Sequence, residues 1–83
     1  MLKENVKAKV MVIDFENKKG WKIYHNEDLY GNTEIKDSRF WNDVQNGYYV
    51  FVRGTTLVAD IDCPWKIEEP LKILKVHEVI YSD

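Results

Sequence analysis

The chain has 83 residues, of which 45% are hydrophobic, 31% charged and 13% aromatic, and its net charge is −2 with a pI near 5.6. This is the composition of a folded globular chain, not a disordered one, and its length predicts a single small domain over residues 1–83. It excludes a strongly basic polyanion binder, and no apolar run approaches the ~20 residues of a membrane-spanning helix.

Residues 6–15 (V-K-A-K-V-M-V-I-D-F) open the pattern. Val6, Ala8 and Val10 alternate with Lys7 and Lys9, and the run then turns apolar on both faces through Val12, Ile13 and Phe15. That predicts a long strand whose later half is covered on both sides. Residues 16–20 form a hairpin loop in which Gly20 supplies a left-handed position, and residues 21–25 return as an antiparallel strand. Asn26, Glu27 and Asp28 mark a second turn. A third strand starts at Leu29 and Tyr30, with a bend or bulge at Gly31 and Asn32, and continues through residues 33–36. Residues 37–46 (D-S-R-F-W-N-D-V-Q-N) are the one helix candidate: Asp37 or Ser38 caps its start, and Gly47 sits where a left-handed terminating glycine belongs. Phe40, Trp41 and Val44 supply its apolar stripe. Residues 48–52 (Y-Y-V-F-V) carry only β-branched or aromatic side chains and predict a strand. Residues 53–55 make a bulge or turn, and residues 56–61 a further strand. Residues 62–70 are a loop, since Pro64 and Pro70 oppose regular pairing. Residues 71–81 form the last strand, with Leu74, Val76 and Ile80 on one face and Ile73, His77, Val79 and Tyr81 on the other.

The sum is a mainly β domain of five to six antiparallel strands with one short helix around residues 38–46. Long first and last strands and a helix after the third predict a β-barrel-like fold, OB-like or SH3-like.

A domain this small buries only roughly 60% of the surface its unfolded chain exposes, so most large apolar side chains are needed inside. The single cysteine, Cys63, excludes an internal disulfide and fits a reducing compartment, the cytoplasm. The N-terminal M-L-K-E-N-V-K-A-K is basic but has no apolar centre, so a signal peptide is not expected. Charge is uneven: residues 1–22 carry a local +3, residues 23–47 a local −3 and residues 48–83 a local −2.

Aromatic rings beside cations single out K-K-G-W-K-I-Y. Period-two alternation places Trp21 and Ile23 on one face and Lys22 and Tyr24 on the other, with Trp21 assigned to the core. Lys18 and Lys19 lie beside them. If that outer face coincided with Tyr49, Phe51 and Arg53, which alternate together, the two would make a ring-and-cation platform for bases and phosphates. The opposing reading, favoured by the net charge, places Trp21, Tyr24 and Phe51 in the core. K-K-G-W-K-I-Y resembles the first aromatic strand of cold-shock domains, and Y-V-F-V-R their second. The resemblance covers about a dozen residues. The two pieces are further apart than in that family, and the acidic pI departs from it. Shared strand chemistry accounts for the likeness.

The sequence carries no signature of catalysis. His25, Glu27 and Asp28 share a turn and read as solvated polar residues, since metal sites need three or four converging ligands. Cys63 reads as a small buried hydrophobe and not a nucleophile. The four glycines are isolated turn residues, not a phosphate loop. The loop C-P-W-K-I-E-E-P admits two readings. In one, Trp65 folds back to plug the barrel, which a small core favours. In the other, Trp65, with Lys66 and Ile67, anchors an interface on a proline-stiffened loop. The reading adopted is a non-enzymatic binding protein with no cofactor and no metal. It is a protein-interaction module or small inhibitor, of the kind that viral or mobile-element accessory proteins provide. Its partner is another protein, not a membrane. The alternative is an OB-like single-stranded nucleic-acid-binding domain that uses aromatic and Lys/Arg residues on strands two to four.

Overall fold

A computed structural model describes residues 1–81. It contains β1 (Leu2–Val12), β2 (Lys19–His25), β3 (Asp28–Ile35), α1 (Ser38–Gln45), β4 (Thr56–Asp62) and β5 (Leu71–Ile80). The five strands close into a barrel in the order β1-β2-β3-β5-β4. Closure falls to the long β1, which pairs with β4 from Leu2 to Lys9 and with β2 from Lys9 to Val12. A closed five-stranded barrel with a helix between β3 and β4 fits the barrel expected from the sequence. One pairing departs from the all-antiparallel expectation: Thr33, Glu34 and Ile35 of β3 run parallel to Leu71, Lys72 and Ile73 of β5. A parallel pair needs a crossover, and α1 with β4 provides it.

Bulges decide which side chains face inward. At the start of β1, Lys3 pairs with Ile61 and Val6 with Ala59, so Glu4 and Asn5 oppose Asp60 alone. Asn5 has φ +52 and donates its N–H to Asp60 Oδ1 at 2.9 Å. This bulge hides the first residues of β1 from an alternation pattern, so the strand begins at Leu2 and not at Val6. It also ends earlier than expected. Met11 is an extra residue against β2, Val12 is exposed, and Ile13 and Phe15 belong to the following loop; the later half is therefore not covered on both faces. Gly20, φ +92, is the extra residue of a bulge against β3, a conformation that favours glycine. Asn26 and Glu27, φ +50 and +70, form the two-residue turn that pairs His25 with Asp28. Gly31 and Asn32 bulge opposite Lys22, so Tyr30 and Thr33 both point inward. Register shifts in β5 reassign its faces. Leu71, Ile73, Val76 and Val79 pack on or against the core, while Leu74, His77 and Ile80 point outward. Strict alternation had grouped Leu74 and Ile80 with Val76, and His77 with Ile73.

The core is Ala8 and Val10 from β1, Trp21 and Ile23 from β2, Tyr30 and Ile35 from β3, Leu57, Ala59 and Ile61 from β4, and Leu71 and Ile73 from β5. Phe40 and Val44 of α1 complete it at one end. Trp21 is fully buried, with its ring at 6.3 Å from Phe40, 6.4 Å from Trp41 and 5.6 Å from Phe51, all edge-on. Its indole N–H donates to the Asp14 carbonyl at 2.9 Å. The cap of α1 is Asp37. One carboxylate oxygen accepts from the Phe40 N–H at 3.0 Å and the other from the Val76 N–H of β5 at 2.9 Å, so a single side chain starts the helix and ties it to the barrel. The helix stops in a Schellman arrangement: Gly47, φ +72, donates to Val44 and Tyr48 to Asp43.

Residues 48–52 alternate exposed and half-buried side chains but pair with no strand. The expected strand there is corrected to a connecting segment that crosses the helix end of the barrel. Tyr49 and Phe51 turn inward, with Tyr49 at 5.4 Å from Phe40. The period-two pattern was real, but it reflects packing and not sheet hydrogen bonds. No helix among the described residues is long and apolar enough to cross a membrane.

Candidate functional site

Two surfaces concentrate the residues singled out in the sequence. The first is the β4–β5 loop. Its base is held by buried Cys63 at one end and buried Leu71 at the other, and the Glu69 N–H closes a turn onto the Lys66 carbonyl at 3.0 Å. Trp65 projects from this frame with 86% of its surface exposed, and Ile67 is also exposed. Trp65 therefore does not plug the barrel. The space beneath the loop is taken by Tyr30, whose hydroxyl lies 3.3 Å from Cys63 Sγ in the buried core. The hydrogen bond to Cys63, with burial adding to it, pushes the Tyr30 phenol up to about 12. A shallow groove of about 310 Å³ runs beside the indole, lined by Met1, Pro64, Pro70 and Lys72 among others. Lys66, Glu68 and Glu69 form a charged, solvated border. The result is an exposed indole beside a groove of mixed lining, in which Asp62, Glu69 and Lys72 lie among the prolines.

The second surface is the outer face of β1, β2 and β3. Register aligns Lys9 with Tyr24 and Tyr24 with Leu29 in one row across the three strands. Lys22 pairs with Val12 one step along. Tyr24 is 39% exposed, and Lys7, Lys9, Lys22 and Leu29 are exposed. Lys18 and Lys19 lie in solvent where β2 begins. Lys7, Lys9 and Leu29 join this face only through the register, which no local pattern reveals.

The platform expected from two coinciding aromatic faces does not assemble. Tyr49 and Phe51 pack inward against Phe40 and Trp21, and burial holds the Tyr49 phenol above its ordinary value. Arg53 is exposed in the turn before β4, where Gly54 donates its N–H to the Val10 carbonyl. Tyr24 thus remains as the single ring of that set on the outer face. His25, expected in solvent, is buried instead. It continues the inward row of Trp21 and Ile23, and its Nδ1 donates to the Lys7 carbonyl at 3.0 Å. Among the described residues no three His, Cys, Asp or Glu side chains converge as a metal site would require.

Asp60 joins three strands. It accepts from the Asn5 N–H and from His77 Nε2, each at 2.9 Å, and these contacts, the first more than the second, hold it below the usual carboxylate range. Glu34 is lowered in the same direction by Lys36 at 2.9 Å. Asp60 ties β4 to β1 and β5, whereas the Glu34–Lys36 pair lies within one segment.

Compared with protein-family models, with curated proteins and with solved structures, the chain shows no match.

Proposed function

We propose that the protein is a non-enzymatic protein-interaction module or small inhibitor that engages a partner protein through the β4–β5 loop, with Trp65 as the anchor and Ile67 and Lys66 beside it. One observation carries this reading: a small domain that needs its aromatic bulk leaves a tryptophan 86% exposed on a loop anchored at both ends. Tryptophan is enriched among the few residues that dominate interface energies, and Pro64 and Pro70 lower the ordering cost of binding. The test is affinity capture by the intact chain from its native host, with and without nuclease, repeated with Trp65→Ala. A partner that resists nuclease and is lost from a variant of unchanged melting temperature supports the proposal. Capture that survives the substitution counts against it.

The Lys9–Tyr24–Leu29 row supports a second reading. In OB barrels the outer face of strands two and three is where single strands stack and cations follow phosphates, and Lys7, Lys9 and Lys22 surround Tyr24 there. On this reading oligonucleotide binding weakens steeply with salt, and Lys18→Glu with Lys22→Glu abolishes it while leaving stability within ~0.5 kcal/mol.

A further inference from the structure

Residues 48–52 hold the strongest β-forming run in the chain, and the fold leaves it without a strand partner. Its inner side chains are fixed: Tyr49 lies at 5.4 Å from Phe40 and Phe51 at 5.6 Å from Trp21. Its other side chains are exposed, Val50 by 75%, Val52 by 50%, and Tyr48 by 75% with its ring 5.3 Å from that of Tyr49. Among the described residues the backbone N–H groups of Tyr49, Val50 and Phe51 have no hydrogen-bond partner, whereas those of Tyr48 and Val52 are used by the helix cap and by Thr55 Oγ1. A side-chain-anchored segment with free amides and exposed apolar side chains at Val50 and Val52 shares properties with an unpaired sheet edge.

We propose that this segment is the contact by which two copies of the chain associate, residues 48–52 of each pairing antiparallel about a twofold axis at Val50. The occupant is a second copy because the segment is complementary to itself. No charge occurs from Tyr48 to Val52, so an isologous contact brings no like charges together along the paired run. Antiparallel pairing about Val50 sets Tyr48 of one copy opposite Val52 of the other, an aromatic on a β-branched side chain, the pairing that stabilises sheets. The same register sets Arg53 opposite Gly47 of the second copy, directly beyond the end of α1. That helix has no basic residue in its last turn, and Asp43 lies in the same terminal turn, its carbonyl accepting from Tyr48. Each arginine thereby meets a helix C-terminus and a carboxylate, the site where a cation is favoured, and the twofold makes the contact twice. Anchoring by Tyr49 and Phe51 means that little further ordering is required on association.

The association is separate from the Trp65 surface, and its test reads mass, not partner capture. Sedimentation equilibrium of the full chain over a dilution series is expected to show twice the 9.9 kDa chain mass at high concentration and the single mass on dilution. Val50→Asp places two carboxylates face to face at the axis and should weaken association at least ~10-fold, with unchanged circular dichroism because the side chain is exposed. Arg53→Glu should weaken it as well. Val50→Cys should give a disulfide-linked dimer on mild oxidation while the wild type, whose Cys63 is buried, gives none. A wild-type chain that is monomeric at millimolar concentration overturns the proposal. So does a dimer that Val50→Asp leaves intact, or a Val50→Cys chain that does not cross-link.

Discussion

Replacing Trp21 by alanine should cost this barrel a large share of its stability. The indole is fully buried, touches rings from α1 and from the segment after it, and satisfies the Asp14 carbonyl. A tryptophan of this kind hides on the order of 200 Å², which at ~25 cal/mol per Å² corresponds to about 5 kcal/mol. Large-aromatic truncations measured in other cores give ~3–5 kcal/mol. The lost hydrogen bond adds about 1 kcal/mol, since the half-buried Asp14 carbonyl recovers part of it from water. The expected cost of about 4–6 kcal/mol meets a total stability of ~4–12 kcal/mol for a chain of this length. Trp21→Phe keeps most of the burial and loses the N–H, so it should cost only ~2 kcal/mol. Urea unfolding followed by far-ultraviolet circular dichroism measures both, because the signal does not depend on tryptophan fluorescence. A Trp21→Ala unfolding free energy that differs from wild type by less than ~0.5 kcal/mol would show that the core is not centred on this ring, as surface substitutions behave that way.

Asp37→Ala removes the helix cap and orphans the Val76 N–H together, so it should cost ~2–4 kcal/mol in the same assay; Ser38→Ala, one residue away and exposed, should cost little. Asp60 makes stability depend on pH in the acid range. Its folded pKa is lowered by Asn5 and His77, so its contribution is present above the unfolded value of ~3.9 and is lost as pH falls through the folded value. The melting-temperature gap between wild type and Asp60→Asn should therefore be open at neutral pH and close as pH falls below the ordinary carboxylate range. Tyr30, held by Cys63, should titrate at about 12 in an ultraviolet phenol titration.

Elements governed by local chemistry could be read from the sequence directly. Asp37 and Gly47 bracketed α1 because caps are set by side chains and left-handed glycines, both local. The division of Trp21 and Ile23 from Lys22 and Tyr24 followed from period two alone, and residues 56–61 read as a strand that β4 keeps regular over that span. The misreadings came where register or tertiary packing decides. In β5 the shifts near Leu74 and His77 moved side chains across the sheet, which no alternation count anticipates. Residues 48–52 showed every local sign of a strand, yet α1 delivers them to the barrel end with no neighbour in pairing distance. His25 read as a turn residue because Asn26 follows it, although the inward row of β2 extends one position further than the apolar letters. At the candidate site, the exposure of Trp65 was undecidable from composition, since the same small core that argued for a plug is filled there by Tyr30 and Cys63.

The central proposal, an interface anchored at Trp65, is tested most directly by isothermal titration of the captured partner against wild type and Trp65→Ala at two salt concentrations, with melting temperatures taken in parallel. The expected result is a loss of ~2 kcal/mol or more in binding on substitution, weak salt dependence for the wild type, and no change in melting temperature, because the ring is exposed. Equal affinity for the two chains would contradict it, as would a steep salt dependence that Lys18→Glu with Lys22→Glu removes, which would move the binding surface to the outer face of β1, β2 and β3.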